Sequence, residues 1–219
     1  MRPYGERNKR MLNIKVEGYC VGPVQTNCYF AINKTSNELL IVDPGASADS
    51  LEKKVKESGC KPAAILLTHG HSDHAGAAEE LAELLDVKIY AHEAEKDTLE
   101  DPRYNLSGMM GRGERYHADI FVKDGQELEL AGFMIRVLHT PGHTPGGCCY
   151  YIPSEAVLFS GDTLFCQSVG RTDFPGGSMG QLVKSIRSKL LDMPDHTKVY
   201  PGHNEETTIG QEKQWNPFL

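Results

Sequence analysis

Thr68-His69-Gly70-His71-Ser72-Asp73-His74 follows directly on the apolar run Ala63 to Leu67. Four candidate metal ligands therefore fall within six positions at the end of a short buried strand. Gly70 lets the backbone turn tightly between the first two histidines. Neutral imidazole and carboxylate are the ligands that zinc and iron accept in open catalytic sites. A lone histidine reads as an ordinary surface or core residue, but three histidines and an aspartate at this density read as a metal site. Just beyond, Ala77, Ala78, Leu81, Leu84 and Leu85 share one face at helical spacing, which predicts a helix from about Ala75 to Leu85. Val87 to Ala91 reads as the next strand. Strand, motif, helix, strand is an α/β signature.

Similar punctuation runs along the rest of the chain. Leu12 to Val16 and Cys28 to Ile32 read as strands, and Leu39 to Val42 as a short buried strand stopped by Asp43-Pro44-Gly45. Glu127 to Leu130 and Phe133 to His139 predict a hairpin around Ala131-Gly132, and Cys148 to Ile152 with Ala156 to Phe159 a second around Pro153-Ser154. A helix is expected from Met179 to Leu191, with Ser178 and Gln181 at capping-box spacing. Lys198 to Tyr200 reads as a last short strand. Asp97 to Ala118 lacks periodicity, and a long irregular segment is more often functional or mobile than structural. One domain over residues 11–219 is the simplest count, with residues 1–10 as a flexible N-terminal extension.

Three further candidates repeat the form strand, tight turn, ligand. His143 lies in Thr140-Pro141-Gly142-His143, Asp162 in Ser160-Gly161-Asp162, and His203 in Pro201-Gly202-His203. Loops at strand ends are where rigid sheets present functional groups. Seven ligands are too many for one tetrahedral ion but suit two if one carboxylate bridges. The expected division is His69, His71 and His143 for one ion, Asp73, His74 and His203 for the other, and Asp162 between them. The remaining histidines, His92, His117, His139 and His196, read as structural or exposed.

Composition narrows the partners. The 219 residues carry a net charge of −7, which repels phosphate backbones, so no nucleic-acid partner is expected. No apolar run is long enough to span a membrane, and Met1 to Arg10 does not read as a secretory signal. A cytoplasmic location follows as the expectation, with the six cysteines as free thiols rather than three disulfides. Sequence leaves the oligomeric state open.

HxHxDH followed by the later His, Asp and His resembles the metallo-β-lactamase superfamily, over Met11 to Leu219. The resemblance implies an αβ/βα four-layer sandwich with the metal site at one edge of two sheets, within the α/β (α+β) class. Val42-Asp43-Pro44-Gly45 matches the family's first motif, which implies that Asp43 supports the ligands from behind. Thr140 to Gly147, Ser160 to Phe165, Gly170-Arg171-Thr172-Asp173 and the ending around His203 are similar to the glyoxalase II-like branch, and specifically to its short bacterial hydroxyacylglutathione hydrolase-like, metal-dependent hydrolases. Cysteine commonly replaces Asp162 in secreted metallo-β-lactamases, and glutamate replaces His71 in flavodiiron proteins; this chain has neither change.

The resemblance implies two divalent ions, zinc first, with iron or manganese as alternatives. It implies hydrolysis of a small-molecule thioester or ester by a metal-bridging hydroxide, with Asp73 ligating and orienting it. Full-length glyoxalase II grips glutathione with a C-terminal helical domain, whereas only Asn204 to Leu219 follows His203 here. Arg171, Lys184 or Arg112 are the cations left to substitute, and Cys166 is a further candidate for substrate contact. The alternative is a one-iron persulfide dioxygenase using His71, His143 and Asp162, because sulfur dioxygenases resemble the same branch. A metal-binding scaffold without catalysis is the third reading.

Overall fold

A computed structural model describes residues 13–219. The expected extension, residues 1–10, lies outside the described residues. Six strands form the first sheet in chain order: β1 (Ile14–Val21), β2 (Thr26–Asn33), β3 (Glu38–Val42), β4 (Lys61–Leu66), β5 (Lys88–His92) and β6 (Ile120–Val122). Six more belong to the second sheet: β7 (Glu127–Leu130), β8 (Phe133–His139), β9 (Cys148–Ile152), β10 (Val157–Gly161), β13 (Lys198–Pro201) and β14 (Thr207–Thr208), in the order β14-β13-β10-β9-β8-β7. Between β10 and β13 a small hairpin pairs β11 (Leu164–Phe165) with β12 (Ser168–Val169). The helices are α1 (Ala48–Ser58), α2 (Ser72–Ala75), α3 (Ala78–Leu85), α4 (Lys96–Glu100), α5 (Met179–Lys189) and α6 (Ile209–Trp215).

Three apolar clusters show how the layers stack. Phe30, Leu39, Ile41 and Ile65 pack with Leu51 and Val55 of α1 and Leu81 of α3. The alternate residues of the same strands, Ala31, Leu40, Val42 and Leu66, meet Ile135, Val137, Tyr150 and Phe159 of the second sheet. The opposite face of that sheet, through Leu138, Cys149, Tyr151 and Leu158, packs on Leu182 and Ile186 of α5 and Ile209 of α6. The order is helices, sheet, sheet, helices, as the αβ/βα expectation requires. Both faces of the central strands are buried, which explains why they read as continuous apolar runs rather than alternating ones. Each such Leu, Ile or Phe contributes about 1.5–3 kcal/mol by leaving water.

Strand direction gathers the motifs. β3, β4, β5 and β6 run parallel, and so do β10 and β13; β8 shares their direction through the antiparallel β9. Asp43, His69, His143, Asp162 and His203 all follow the C-terminal ends of such strands, β3, β4, β8, β10 and β13 in turn. At that edge the sheets are tied directly: Cys148 N–H donates to the Thr68 carbonyl at 2.8 Å, and the Tyr150 hydroxyl to the Leu67 carbonyl at 3.0 Å.

Some expectations shift. The helix expected from about Ala75 to Leu85 is α3, which starts at Ala78, and the short α2 precedes it over the motif itself. The Ala77 N–H donates to the Pro44 carbonyl at 3.0 Å, so the backbone leaves the helical ladder there. The hairpin turn at Ala131-Gly132 holds both residues at positive φ (51° and 69°), as a tight two-residue hairpin requires. The Asn33 side chain secures it by donating to the Ala131 carbonyl at 2.8 Å. The segment expected to be irregular, Asp97 to Ala118, holds most of α4 and one 3-10 turn, Ser107–Met110. All six cysteines are free thiols. No helix among the described residues is long and apolar enough to cross a membrane.

Candidate metal centre

Asp43 organises the site from below. Its backbone sits in the left-handed region (φ 52°), which turns the buried carboxylate toward the end of β4. One oxygen accepts the Thr68 N–H at 2.8 Å; the other accepts the Thr68 hydroxyl at 2.6 Å and His74 Nδ1–H at 2.9 Å. Because the Thr68 hydroxyl donates its proton to Asp43, its oxygen is left to accept from His69 Nδ1 at 3.2 Å. His143 Nδ1 faces the Arg171 carbonyl at 2.6 Å and donates to it. Three rings thus carry their proton on Nδ1, and each Nε2 presents a lone pair to the same space.

The candidate ligands meet there. Donor atoms of His69, His71 and His143 lie within 4.8 Å of one another, as do those of Asp73, His74 and His203, and those of His69, His74 and Asp162. His143 Nε2 is 3.0 Å from His71 Nδ1 and 3.4 Å from Asp162 Oδ2. His74 Nε2 is 3.4 Å from Asp162 Oδ1, and His203 Nε2 is 3.2 Å from Asp73 Oδ2. Ligands about 2.1 Å from a tetrahedral ion stand roughly 3.4 Å apart, so these separations suit metal coordination. The buried atoms His69 Nε2, His71 Nε2, His74 Nε2 and Asp162 Oδ1 have no hydrogen-bond partner among the described residues. Orphaned buried polar atoms are costly, and a cation facing them removes that cost for those directed into the clusters. Asp162 Oδ2 also lies 3.7 Å from His203, so this one oxygen faces both groups, while Oδ1 turns to His74.

Electrostatics favour positive charge at this spot. Burial opposes charge on His74, but Asp73, Asp162 and Asp43 outweigh it and push its pKa well above the usual value. Burial would raise Asp162, yet the surrounding His74 and His143 hold it down at about 2. Burial and the neighbouring His143 press His71 down to about 3, so it stays neutral and free to ligate. An imidazole proton or a metal ion supplies the charge that the carboxylates call for.

Two close approaches need glycine. A Cβ on Gly45 would sit 1.5 Å from the Asp73 carbonyl oxygen, and one on Gly202 would sit 2.3 Å from Asp162 Oδ1. The first lets the Asp43 turn close on α2; the second lets the His203 turn close on Asp162.

A cleft of ≈ 340 Å³ opens over the clusters. His71, Asp73, His143, Asp162 and His203 line its floor, and Val24, Leu106, Met109, Phe165 and Phe174 its walls. Arg171 is the one Lys or Arg in the lining among the described residues; it stacks 4.3 Å over Phe174 and pairs with Asp173 at 2.8 Å. The other candidates for substrate contact are not brought there. Lys184 lies on the exposed side of α5, Arg112 is exposed outside the lining, and Cys166 points toward Glu212, Glu205 and Thr207. The structure adds residues that sequence did not single out. Thr26 donates to Asp73 Oδ2 at 3.0 Å, and Glu95 holds two ligand loops from behind. Neither carries a local sequence signal, because each acts across strands far apart in the chain. Outside the site, His92 is buried and stacked on His139 at 4.0 Å, whereas His117 and His196 are exposed.

Comparison with known proteins agrees with this geometry. A family model described as the metallo-beta-lactamase superfamily matches residues 21–203. A probable metallo-hydrolase of Bacillus subtilis, YqgX, is 43% identical over 91% of this chain and 94% of its own length. The hydroxyacylglutathione hydrolase GloC of Haemophilus influenzae is 38% identical over 94% of this chain and 98% of its own. Among solved structures, the BLEG-1 B3 metallo-beta-lactamase superposes with a TM-score of 0.89 at 43% identity, covering 94% of this chain and 99% of that one. TTHA1623 in a di-iron-bound form gives 0.82 at 37% identity, covering 93% and 100%. ETHE1 from Myxococcus xanthus gives 0.75 at 25% identity, covering 93% and 83%. The chain therefore belongs to the metallo-beta-lactamase superfamily, as a metallo-hydrolase.

Proposed function

We propose that the chain is a binuclear hydrolase of thioesters or small esters. The observation that carries this reading is that seven donors fall in three overlapping groups, His69/His71/His143 and Asp73/His74/His203 with His69/His74/Asp162 joining them. His69, His71 and His143 would hold one divalent ion, Asp73, His74 and His203 the other, and Asp162 would serve both. Such ions acidify water and polarise a carbonyl oxygen. Asp73 is held by the Thr26 hydroxyl and lines the cleft floor, where its carboxylate can orient the attacking water, whose proton passes to the leaving group or to solvent. Water attacks the acyl carbon, the C–S or C–O bond breaks, and the thiolate or alkoxide leaves. A thiolate needs little help from an acid, and no serine or cysteine nucleophile is required.

The cleft favours a substrate with an apolar body. Five apolar side chains form its walls, and Arg171 in the lining is already paired with Asp173. The likeness to GloC supports a thioester, and the likeness to BLEG-1 adds a β-lactam to the substrates worth assaying. The di-iron relative keeps iron beside zinc and manganese as the resident metal. The likeness to ETHE1 lends some support to the persulfide dioxygenase reading, with His71, His143 and Asp162 on one iron.

Elemental analysis beside two assays separates these readings: hydrolysis of S-lactoylglutathione, and oxygen uptake with glutathione persulfide. Thioester hydrolysis without oxygen uptake, at two ions per chain, is the expected result. Oxygen consumption with one iron would overturn it, and bound metal without any turnover would favour a scaffold.

A further inference from the structure

A buried carboxylate outside the ligand set ties the ligand loops together. Glu95 lies in the turn between β5 and α4 and is 1% exposed. Its Oε1 accepts the Gly70 N–H at 2.9 Å, and its Oε2 accepts the Thr144 hydroxyl at 3.0 Å. Gly146 packs directly against the same carboxylate. Gly70 stands between His69 and His71, and Thr144 follows His143. One carboxylate is therefore bonded to the residues that flank all three histidines of the first cluster.

These loops come from different sheets, one after β4 and one after β8, and Glu95 approaches both from a third element. The fit is close. A Cβ on Gly146 would lie 2.3 Å from Glu95 N and 2.5 Å from its Oε2, and one on Gly70 would lie 3.0 Å from Leu99 Cγ in α4. The second cluster is braced otherwise: Asp43 holds His74, and Thr26 holds Asp73. Asp43 also reaches His69 through Thr68, whereas the bonds of Glu95 fall only beside the first cluster.

We infer that Glu95 is a positioning residue for the first metal site, setting the separation of the His69/His71 loop from the His143 loop while leaving the second site to Asp43 and Thr26. It touches no ligand atom and acts only through Gly70, Thr144 and Gly146. Buried supports of this kind change metal affinity by about 10–100-fold when removed. This inference rests on the reading of the clusters as a two-ion centre.

Cobalt(II) titration of the metal-free protein, followed by visible absorption, resolves two binding steps. In Glu95→Ala, the first-cluster constant is expected to weaken by about 10–100-fold while the second-cluster constant stays within about twofold. His71→Ala identifies which step belongs to the first cluster. Thr144→Val, which removes one arm and no charge, should weaken the same step by less, and Glu95→Gln should recover part of the loss. Glu155 supplies the control for generic loss of a buried carboxylate. It is buried in the β9–β10 turn, at the opposite end of the sheets, and accepts the Asn13 and Ile14 N–H groups at 2.6 and 3.1 Å. Glu155→Ala should lower the melting temperature and leave both cobalt steps unchanged. Should Glu95→Ala fail to fold, Thr144→Val alone must show the selective loss. Equal weakening of both steps, or none, with two ions bound by the wild type, overturns the positioning role. A wild type that binds no second ion overturns the two-ion reading instead.

Discussion

Asp43 shows how a residue with no reacting atom shapes this centre. It satisfies the Thr68 N–H, the Thr68 hydroxyl and His74 Nδ1, and so fixes the ring nitrogen that His74 offers. Asp43→Ala strands these buried donors. It should cost about 3 kcal/mol in denaturant unfolding and weaken metal binding by about 10–100-fold. Asp43→Asn keeps the shape and should lose less stability than affinity. Unchanged metal binding in both variants would remove Asp43 from the account. The seven candidate ligands are legible because most are dense in sequence and the rest sit in Gly-bearing turns after apolar runs. Thr26 and Glu95 were not, since a threonine or a glutamate acquires its role only when distant loops converge on it. His92 gives a pH prediction at the same scale. Burial, and then the neighbouring His139, press its pKa from 6.5 down to about 4. The unfolded chain takes up that proton first, so the stability from neutral His92 is complete above about pH 6.5 and lost as pH falls toward 4. His92 also accepts the Ala94 N–H, a cap that asparagine can keep. His92→Asn should therefore lose about 2 kcal/mol less than the wild type between about pH 7 and pH 4. Parallel stability curves would contradict this.

Elements explain which predictions from sequence succeeded. The longer strands are read from buried apolar runs, whereas β6, β11, β12 and β14, of two or three residues each, carry too short a pattern; β7 and β8 coincide with the expected ranges, because their turn chemistry is local. Helix α1 went unread. Its stripe is only Ala48, Leu51 and Val55, set among lysines and glutamates, and no side chain caps its start. That thin stripe still packs in the apolar layer, and Leu51 is 2% exposed. Leu51→Ala should cost about 3 kcal/mol in unfolding without altering metal stoichiometry. Loss of metal with a folded protein would show that α1 reaches the site in a way the packing does not indicate. The turn at Gly202 is the opposite case, since it closes directly on the site while its carbonyl accepts the Asn27 N–H at 2.8 Å. Gly202→Ala places a methyl 2.3 Å from Asp162 Oδ1 and 2.6 Å from His74 Cε1. It should abolish binding at the second cluster, read by elemental analysis, while far-ultraviolet circular dichroism stays native. Full metal content in that variant would mean that the turn has room to move.

At the scale of the molecule, the four layers bring the ends of β3, β4, β8, β10 and β13 to one edge, and every candidate ligand follows one of them. The layer order was expected from family resemblance; periodicity alone showed only alternating α and β elements, since strands buried on both faces do not announce which sheet they join. Because the clusters are assembled only in the folded chain, bound metal should stabilise it by mass action. Chelation is expected to lower the melting temperature, and readdition of a divalent ion to restore it. The central claim is that seven side chains form two sites sharing Asp162. Elemental analysis of the folded wild-type protein, equilibrated with excess zinc and then freed of unbound metal, tests it most directly. Two ions per chain is the predicted result, and one ion or none would contradict it.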